Sequence, residues 1–565
     1  MARAWQSLAP ATCALRALTG LALVAACGLL LVQQEACGQY LDTETGCKLC
    51  HRTAIPNNDF CKLPSAEIWQ TQDKHSRAFQ LLHQGDTNDP EQARAKQELV
   101  RQILGFDLKE AFVDDSFARL KDGDDAETVR RVSTVKACLR CHATWPHASD
   151  ANNAQSPPVP LSLGVSCQAC HGPSEKWDLP HRSDTWRLVT PEAKAELGFW
   201  DVRSTANKAK LCASCHVGDV SQDRFVKHEW YAGGHPPLPS FELASFEAQM
   251  PVHWNSLREK GEFAMRDGVP QSDGGQLENS IRQLVSAGVP REAIKGSYRE
   301  ANFPMADGQG AHPGADLART RDAIVAGAAV MESYARVVGD YGKLAAEGKA
   351  AWPELALFDC AACHHELRNG LGLKYRPERR TLPGRPPLAN WPIPLSRLAT
   401  QQAANYAPAA ADLQWSAIME SFGKLEQAAT ARPFGDPAAM RDAAGPAADQ
   451  FRQLANAAAA TRFDEQAARK AVAYLAESKF ELNDFATARQ IAWATRAIAA
   501  DLSSPVAARL FLRDDGADAM ALELPSGGRS VMQNLGPWLG AASQHDPEWF
   551  RARLTAAAGQ LAPPR

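Results

Sequence analysis

The sequence predicts a mainly α-helical protein with little β structure. Helical segments are predicted at 66–83 and at 91–104, and in the second Leu99, Ile103 and Leu104 keep helical spacing. After about residue 392 the chain is rich in alanine and has the pattern of successive amphipathic helices, at 414–431, 438–459, 464–480 and 484–501. Five Cys-x-x-Cys-His motifs alternate with the helical segments of the first part. With 14 Cys and 15 His among 565 residues, chance would give roughly 0.01 such motifs.

The five motifs predict covalent haem attachment. In this signature two thiols bond to one porphyrin, and the histidine that follows binds the iron. Structural zinc sites also use Cys-x-x-Cys pairs, but they do not need a histidine directly after the second cysteine, and all five pairs have one. The sequence therefore predicts five covalently bound haem c groups. The attachment cysteines are Cys47, Cys50, Cys138, Cys141, Cys167, Cys170, Cys212, Cys215, Cys360 and Cys363, and the motif histidines are His51, His142, His171, His216 and His364.

Residues 1–36 are predicted to be an export signal, because Arg3 and Arg16 precede an apolar stretch at 18–32. Bacterial haem attachment follows export, so we expect the chain in the periplasm. Cleavage and release are the first interpretation. A lipoprotein or an uncleaved anchor would instead tether the chain to a membrane, although an apolar stretch of about 15 residues is shorter than the roughly 20 that span a bilayer. Cys37 and Cys61 flank the first motif and either form a disulfide or remain free thiols.

The length of 565 residues predicts two to four units. We expect residues 37–391 to form the haem-bearing domain and residues 392–565 to form a helical domain, with a proline-rich stretch at 376–397 near the boundary. Between the fourth and fifth motifs, 316–350 has the pattern of one long helix. The net charge of −4 is too small to indicate nucleic acid as a partner.

The remaining histidines decide what the predicted haems can do. A second histidine gives a six-coordinate iron that passes electrons, whereas an empty face leaves room for a substrate. His83 and His545 are predicted to be surface residues, and His365 cannot reach the opposite face of the iron that His364 binds. The roles of His147 and His312 stay open, and Met250 is an alternative ligand. Five candidates for the second ligand remain, and they are His75, His181, His228, His235 and His253.

Residues 47–216 resemble the cytochrome c554 family in the order and spacing of their motifs. The first motif is followed by Trp69 and by His75 in His-Ser-Arg-Ala, and the third lies in Gly-Val-Ser-Cys-Gln-Ala-Cys-His-Gly-Pro with His181 after it. The resemblance implies a mainly helical fold wound around closely stacked haems, a role in periplasmic electron transfer, and His75 and His181 as second ligands. The family has four haems, whereas this chain adds a Gly-Gly-His-Pro-Pro segment, a fifth motif and the helical tail.

Two functions agree with this sequence. The first is a pentahaem c-type cytochrome that relays single electrons between redox partner proteins and is not itself an enzyme. The second is a reductase or oxidase of a small nitrogen or sulfur compound at a haem with an open face. The histidines are numerous enough to fill every site, which favours the relay. The fifth motif, which stands apart from the other four, is where we expect electrons to enter or leave.

Overall fold

The computed structural model describes residues 47–51, 64–84, 89–145, 159–238, 240–255, 274–302, 317–364, 384–406, 414–478, 480, 482–504, 507–513, 515–521 and 530–561. The predictions on residues 1–36, Cys37, Cys61, His147, His312 and His365 lie outside these residues. The described residues belong to one compact unit. None of its described helices is long and apolar enough to cross a bilayer.

The prediction of a mainly α-helical fold is confirmed. Within the described ranges, β pairing is limited to isolated bridges, such as the one between Phe358 and Leu388. Helix ends follow local sequence signals: the helix at 90–104 starts after Asp89, whose carboxylate accepts a hydrogen bond from the Glu91 amide, and stops at Gly105 with φ 79°. The helices of the motif-bearing part are α1 (Cys47–His51), α2 (Ser65–Gln72), α3 (Gln80–His83), α4 (Pro90–Leu104), α5 (Ala126–His142), α6 (Cys167–His171), α7 (Pro191–Glu196), α8 (Thr205–His216), α9 (His228–Ala232), α10 (Leu243–Glu247), α11 (Gly274–Ser286) and α12 (Tyr298–Asn302).

The helices predicted in the later part of the chain form close to their expected limits. The stretch predicted at 316–350 is one helix of 29 residues. The segments predicted at 414–431, 438–459, 464–480 and 484–501 are all helices as well, because each combines an apolar face with a polar residue before its first turn. These later helices are α13 (Ala318–Ala346), α14 (Ile393–Tyr406), α15 (Trp415–Thr430), α16 (Pro437–Ala459), α17 (Glu465–Glu477), α18 (Phe485–Asp501), α19 (Val531–Ser543) and α20 (Pro547–Leu561).

The prediction of one helix across 66–83 is wrong. Helix α2 ends at Gln72 because Asp73 adopts an extended conformation, with ψ 131°, and its carboxylate accepts a hydrogen bond from the backbone N–H of His75. A 3₁₀ turn (Lys74–Arg77) follows, so His75 lies on a short turn rather than inside a helix. The break follows from the preference of an aspartate side chain for capping over continuing a helix.

Helix α13 is the centre of the largest hydrophobic core. It is buried over most of its length and packs on α8, α14, α16 and α18. Glycines make these approaches close: a Cβ on Gly342 would lie 2.7 Å from the carbonyl oxygen of Pro437, and Gly339 faces Ala444. The same core includes residues of α8 and of α14 to α20, so the haem-motif segment and the tail pack together. The division at residue 392 stays a prediction.

Candidate haem-attachment sites

Four of the motifs lie on helices. Helices α1 and α6 each consist of one motif, and α5 and α8 end in theirs at His142 and His216. The fifth begins with a 3₁₀ turn (Cys360–Ala362). Because residues three apart lie on one face of a helix, the two cysteines of each helical motif share a side. That arrangement suits attachment to a single flat porphyrin.

Contacts between thiols show which motifs are neighbours. The thiol of Cys47 in the first motif hydrogen-bonds that of Cys167 in the third. Cys141 in the second motif makes the same contact with Cys215 in the fourth. The thiol of Cys170 lies within electrostatic range of Cys215, which joins the third motif to the fourth. Four motifs therefore form a row in the order first, third, fourth, second.

The fifth motif extends this row beyond the second. Burial raises the pKa of Tyr231, and the nearby thiols of Cys360 and Cys141 act in the same direction, so this side chain lies near both the fifth and the second motif. The two ends of the row are the most open: Cys50 in the first motif and Cys360 and Cys363 in the fifth are exposed. The order in space is first, third, fourth, second, fifth.

Two pairs of histidines have the spacing of ligands that share one metal. The ring centroids of His75 and His216 are 6.2 Å apart, and those of His228 and His364 are 6.3 Å apart. A metal–imidazole bond of about 2 Å, with the ring centroid about 1.1 Å beyond the nitrogen, places two imidazoles on opposite sides of one ion about 6.2 Å apart. The fourth and fifth motifs therefore each fit an iron held between two histidines.

The other three candidates each lie near a different motif histidine. In each of three pairs, burial lowers the pKa of one ring and the charge of the second histidine lowers it further. The two rings of each pair are therefore close. Every motif histidine thus has a candidate second ligand in its neighbourhood, and His171 has two, with His253 acting more strongly on it than His181. The pairs are His51 with His181, His171 with His253, and His142 with His235.

Hydrogen bonds at Nδ1 leave Nε2 available in several of these rings. The Nδ1 of His235 lies 2.8 Å from the carbonyl oxygen of Pro236, and that of His142 lies 3.0 Å from the carbonyl oxygen of Ala78. A carbonyl only accepts, so Nδ1 carries the proton and Nε2 keeps its lone pair, as in most histidines that bind metals. Nδ1 of His181 donates to a carbonyl in the same way.

Burial keeps the best-enclosed of these rings neutral. It lowers the pKa of His216 to about 3 and that of His171 and His235 to about 4, and neighbouring histidines add to the effect. The neutral imidazole is the form that binds a metal. The residues present therefore fit a haem group at each motif.

The structure sets two other histidines apart. Nε2 of His545 lies 2.7 Å from the carbonyl oxygen of Leu482, so the nitrogen that would bind iron is already engaged. His83 packs against Phe79 and Phe117. Both are half-buried rather than exposed, so the prediction that they are surface residues is wrong. Part of their cover comes from residues distant in the chain, Phe117 at His83 and Phe485 at His545, and local sequence does not reveal these contacts. Met250 is also half-buried.

Sequence reasoning missed three residues that support these sites. Asp73 is buried beneath His75, and its position two residues before that histidine was a usable signal. Arg224 is buried where the second and fourth motifs meet, donating to Ser214 and to the carbonyl of Arg140. Asn534 lies in the tail, where no sequence pattern connects it with a motif.

Side chains of the helical tail donate hydrogen bonds to the segment 228–253. This segment carries three of the candidate ligands, His228, His235 and His253. The side-chain amide of Asn534, on α19, donates to the carbonyl oxygen of Gly234 at 2.7 Å, next to His235. That of Gln490, on α18, donates to the carbonyl oxygen of Phe241 at 3.0 Å. The ring of Phe241 in turn stacks on His216, with centroids 5.7 Å apart. The helical tail is thus part of the scaffold that positions the sites.

Replacing Asn534 with alanine should loosen this segment. The carbonyl of Gly234 is buried and would lose its donor, which costs about 1–3 kcal/mol of unfolding free energy. Urea unfolding of N534A measures the loss. The control is M532A on the same helix, because Met532 is 68% exposed and its truncation should change stability by less than about 0.5 kcal/mol. Equal stability of the two variants would contradict a bracing role for Asn534.

Comparison with known families identifies one segment. Residues 110–172, which include the second and third motifs, match the family described as cytochrome c554 and c-prime. This segment is cytochrome c554-like, and it lies inside the range 47–216 for which the resemblance was predicted. No curated protein and no solved structure gives a significant match to the chain.

Proposed function

We propose that this chain, a multihaem c-type cytochrome of electron transfer with covalently bound haem c, is a periplasmic pentahaem relay between redox partner proteins. The observation that carries the proposal is the set of paired histidines along one row of motifs, with ring centroids 6.2 Å and 6.3 Å apart at the fourth and fifth. When bound, haem iron held by two histidines supplies one-electron oxidation and reduction.

The paired histidines favour a relay over an enzyme. Each motif histidine would be one protein ligand, and His181, His235, His253, His75 and His228 would be the second ligands at the first, second, third, fourth and fifth motifs. Nδ1 of His235 donates to a backbone carbonyl, so the chain fixes which nitrogen faces its site. With both faces engaged by protein, a substrate has no open position.

The ends of the row suit exchange with partner proteins. The first and fifth motifs expose Cys50 and Cys363, and His364 is exposed as well. The second, third and fourth motifs lie between these ends, and their cysteines are less exposed. Redox partners therefore have access at two separate places, one at each end of the row.

Haem content and spin state of the purified mature protein test the proposal. We expect five haems per chain from the pyridine haemochrome assay and only low-spin ferric signals by electron paramagnetic resonance. Nitrite and hydroxylamine should leave the spectrum unchanged, because no iron has a free position. A high-spin signal that shifts with either compound would contradict the pure relay and favour the second function, a reductase or oxidase of a small nitrogen compound.

A further inference from the structure

His75 differs from the other candidate second ligands in the partner of its Nδ1. That nitrogen lies 2.9 Å from a carboxylate oxygen of Asp73, whereas Nδ1 of His181 and of His235 faces a backbone carbonyl. A carboxylate carries a full negative charge and a carbonyl does not. The site at the fourth motif therefore differs in charge from the sites at the first and second motifs.

Asp73 is held firmly in this position. Its side chain is 2% exposed, and one oxygen accepts both the backbone N–H and the Nδ1–H of His75, each at 2.9 Å. The hydroxyl of Ser76 donates to the backbone carbonyl of Asp73 and closes the turn. In the described part of the chain, Asp73 forms an ion pair with His75 and with no lysine or arginine. His253 also lies within electrostatic range of this carboxylate, but the hydrogen bonds of Asp73 go to His75.

Such a carboxylate changes the metal site through its histidine. A second-layer carboxylate makes a ligating imidazole a stronger electron donor, and its negative charge in a poorly polarisable interior favours the more positive, oxidised iron. Both effects lower a reduction potential. A backbone carbonyl, which supplies only a dipole, does less on both counts.

We propose that Asp73 lowers the reduction potential of the fourth site, the one formed by His75 and His216, relative to the value that a neutral partner of His75 would give. This inference rests on the proposed function, because it needs a haem bound between the two histidines. The fourth site is the middle of the row, between the first and third motifs on one side and the second and fifth on the other. A lower potential at this site disfavours its reduced state, so electrons occupy the sites on either side of it for more of the time.

Asp73→Asn in the full-length holoprotein tests the role of the charge. The amide keeps the shape and one oxygen that can accept the backbone N–H of His75, so the turn should persist. In a spectroelectrochemical titration we expect one of the five haems to become easier to reduce, with its oxidised-to-reduced ratio at a fixed potential changing by about tenfold, which is about 59 mV for one electron. Asp73→Ser, a second neutral residue that can cap the turn, should give a shift in the same direction.

Asp178→Asn is the matched control. The backbone carbonyl of Asp178 accepts from Nδ1 of His181, while its carboxylate pairs with Arg182. This substitution removes a carboxylate beside a candidate ligand without touching the bond to the ring. Any shift of a potential in D178N should be much smaller than the tenfold change of ratio expected for D73N, because this carboxylate makes no bond to the ring and is paired with Arg182.

The outcomes separate this inference from the proposed function. If the unaltered protein is low-spin at all haems but D73N leaves every potential unchanged, the role of Asp73 is overturned and the relay stands. If D73N turns one haem high-spin, Asp73 positions His75 rather than tuning a potential, which also overturns the inference. A high-spin haem in the unaltered protein contradicts the relay, whatever D73N does.

Discussion

Replacing His228 with alanine is expected to convert one of five haems from low-spin to high-spin. The ring of His228 lies 6.3 Å from that of His364, nearly parallel at 25°, and removing it leaves the fifth site with a single protein ligand. The loss of one low-spin equivalent, with a new high-spin signal, can be read by electron paramagnetic resonance. Added imidazole should restore the low-spin signal, because the fifth motif is open to solvent.

His545→Ala is the control for this substitution. Nε2 of His545 is engaged by the carbonyl of Leu482, so its removal should leave all haems low-spin even if the tail is somewhat destabilised. A His228→Ala protein with an unchanged spectrum would remove His228 from the ligand set. A change that imidazole does not reverse would indicate structural damage instead of a lost ligand.

Gly327→Ala is expected to destabilise the fold by about 3 kcal/mol. An added Cβ would lie 2.6 Å from the backbone carbonyl carbon of Leu395, on α14, so one of two packed helices must move. Backbone cannot yield as a flexible side chain can, and overpacking of this kind typically costs about 1–3 kcal/mol. Urea unfolding followed by far-ultraviolet circular dichroism measures the change.

Gly423→Ala is the matched control, because Gly423 lies inside α15 and a Cβ there would meet nothing within 4 Å. Replacing a helical glycine at an open position should stabilise the protein by about 0.5–1 kcal/mol. The two substitutions add the same atom to two helices of the same core. If both changed stability in the same direction, the close approach of α13 and α14 would not explain the effect of Gly327.

Sequence patterns that span only a few residues predict much of the fold. The limits of α13, α15, α16 and α18 follow from helical periodicity, and Asp436 and Asp484 cap the last two of these helices. The break at Asp73 was missed, because an aspartate among other polar residues can continue a helix or cap a new turn, and the choice depends on its backbone conformation.

The residues of the candidate sites could be predicted from the sequence, but the pairing of the histidines in space could not. The motif residues are readable as pentapeptides, and the five candidate ligands could be named from their contexts. Which histidine faces which motif depends on contacts between segments far apart in the chain, such as His75 with His216. The brace from Asn534 to Gly234 is equally distant, and no local pattern encodes it. The assignment of ligands remains a prediction that spectroscopy can test.

The proposed pairing of histidines has a consequence for how this chain folds. Each pair closes a long loop, and each loop overlaps the next along the chain. The five pairs are His51 with His181, His75 with His216, His142 with His235, His171 with His253, and His228 with His364. Contacts between residues so far apart in the chain make folding slow, because each loop must lose entropy before its contact forms. We therefore expect a chain exported only as far as the third motif to hold none of the five pairs, and the pair at the fifth motif to form only after His364 has been exported.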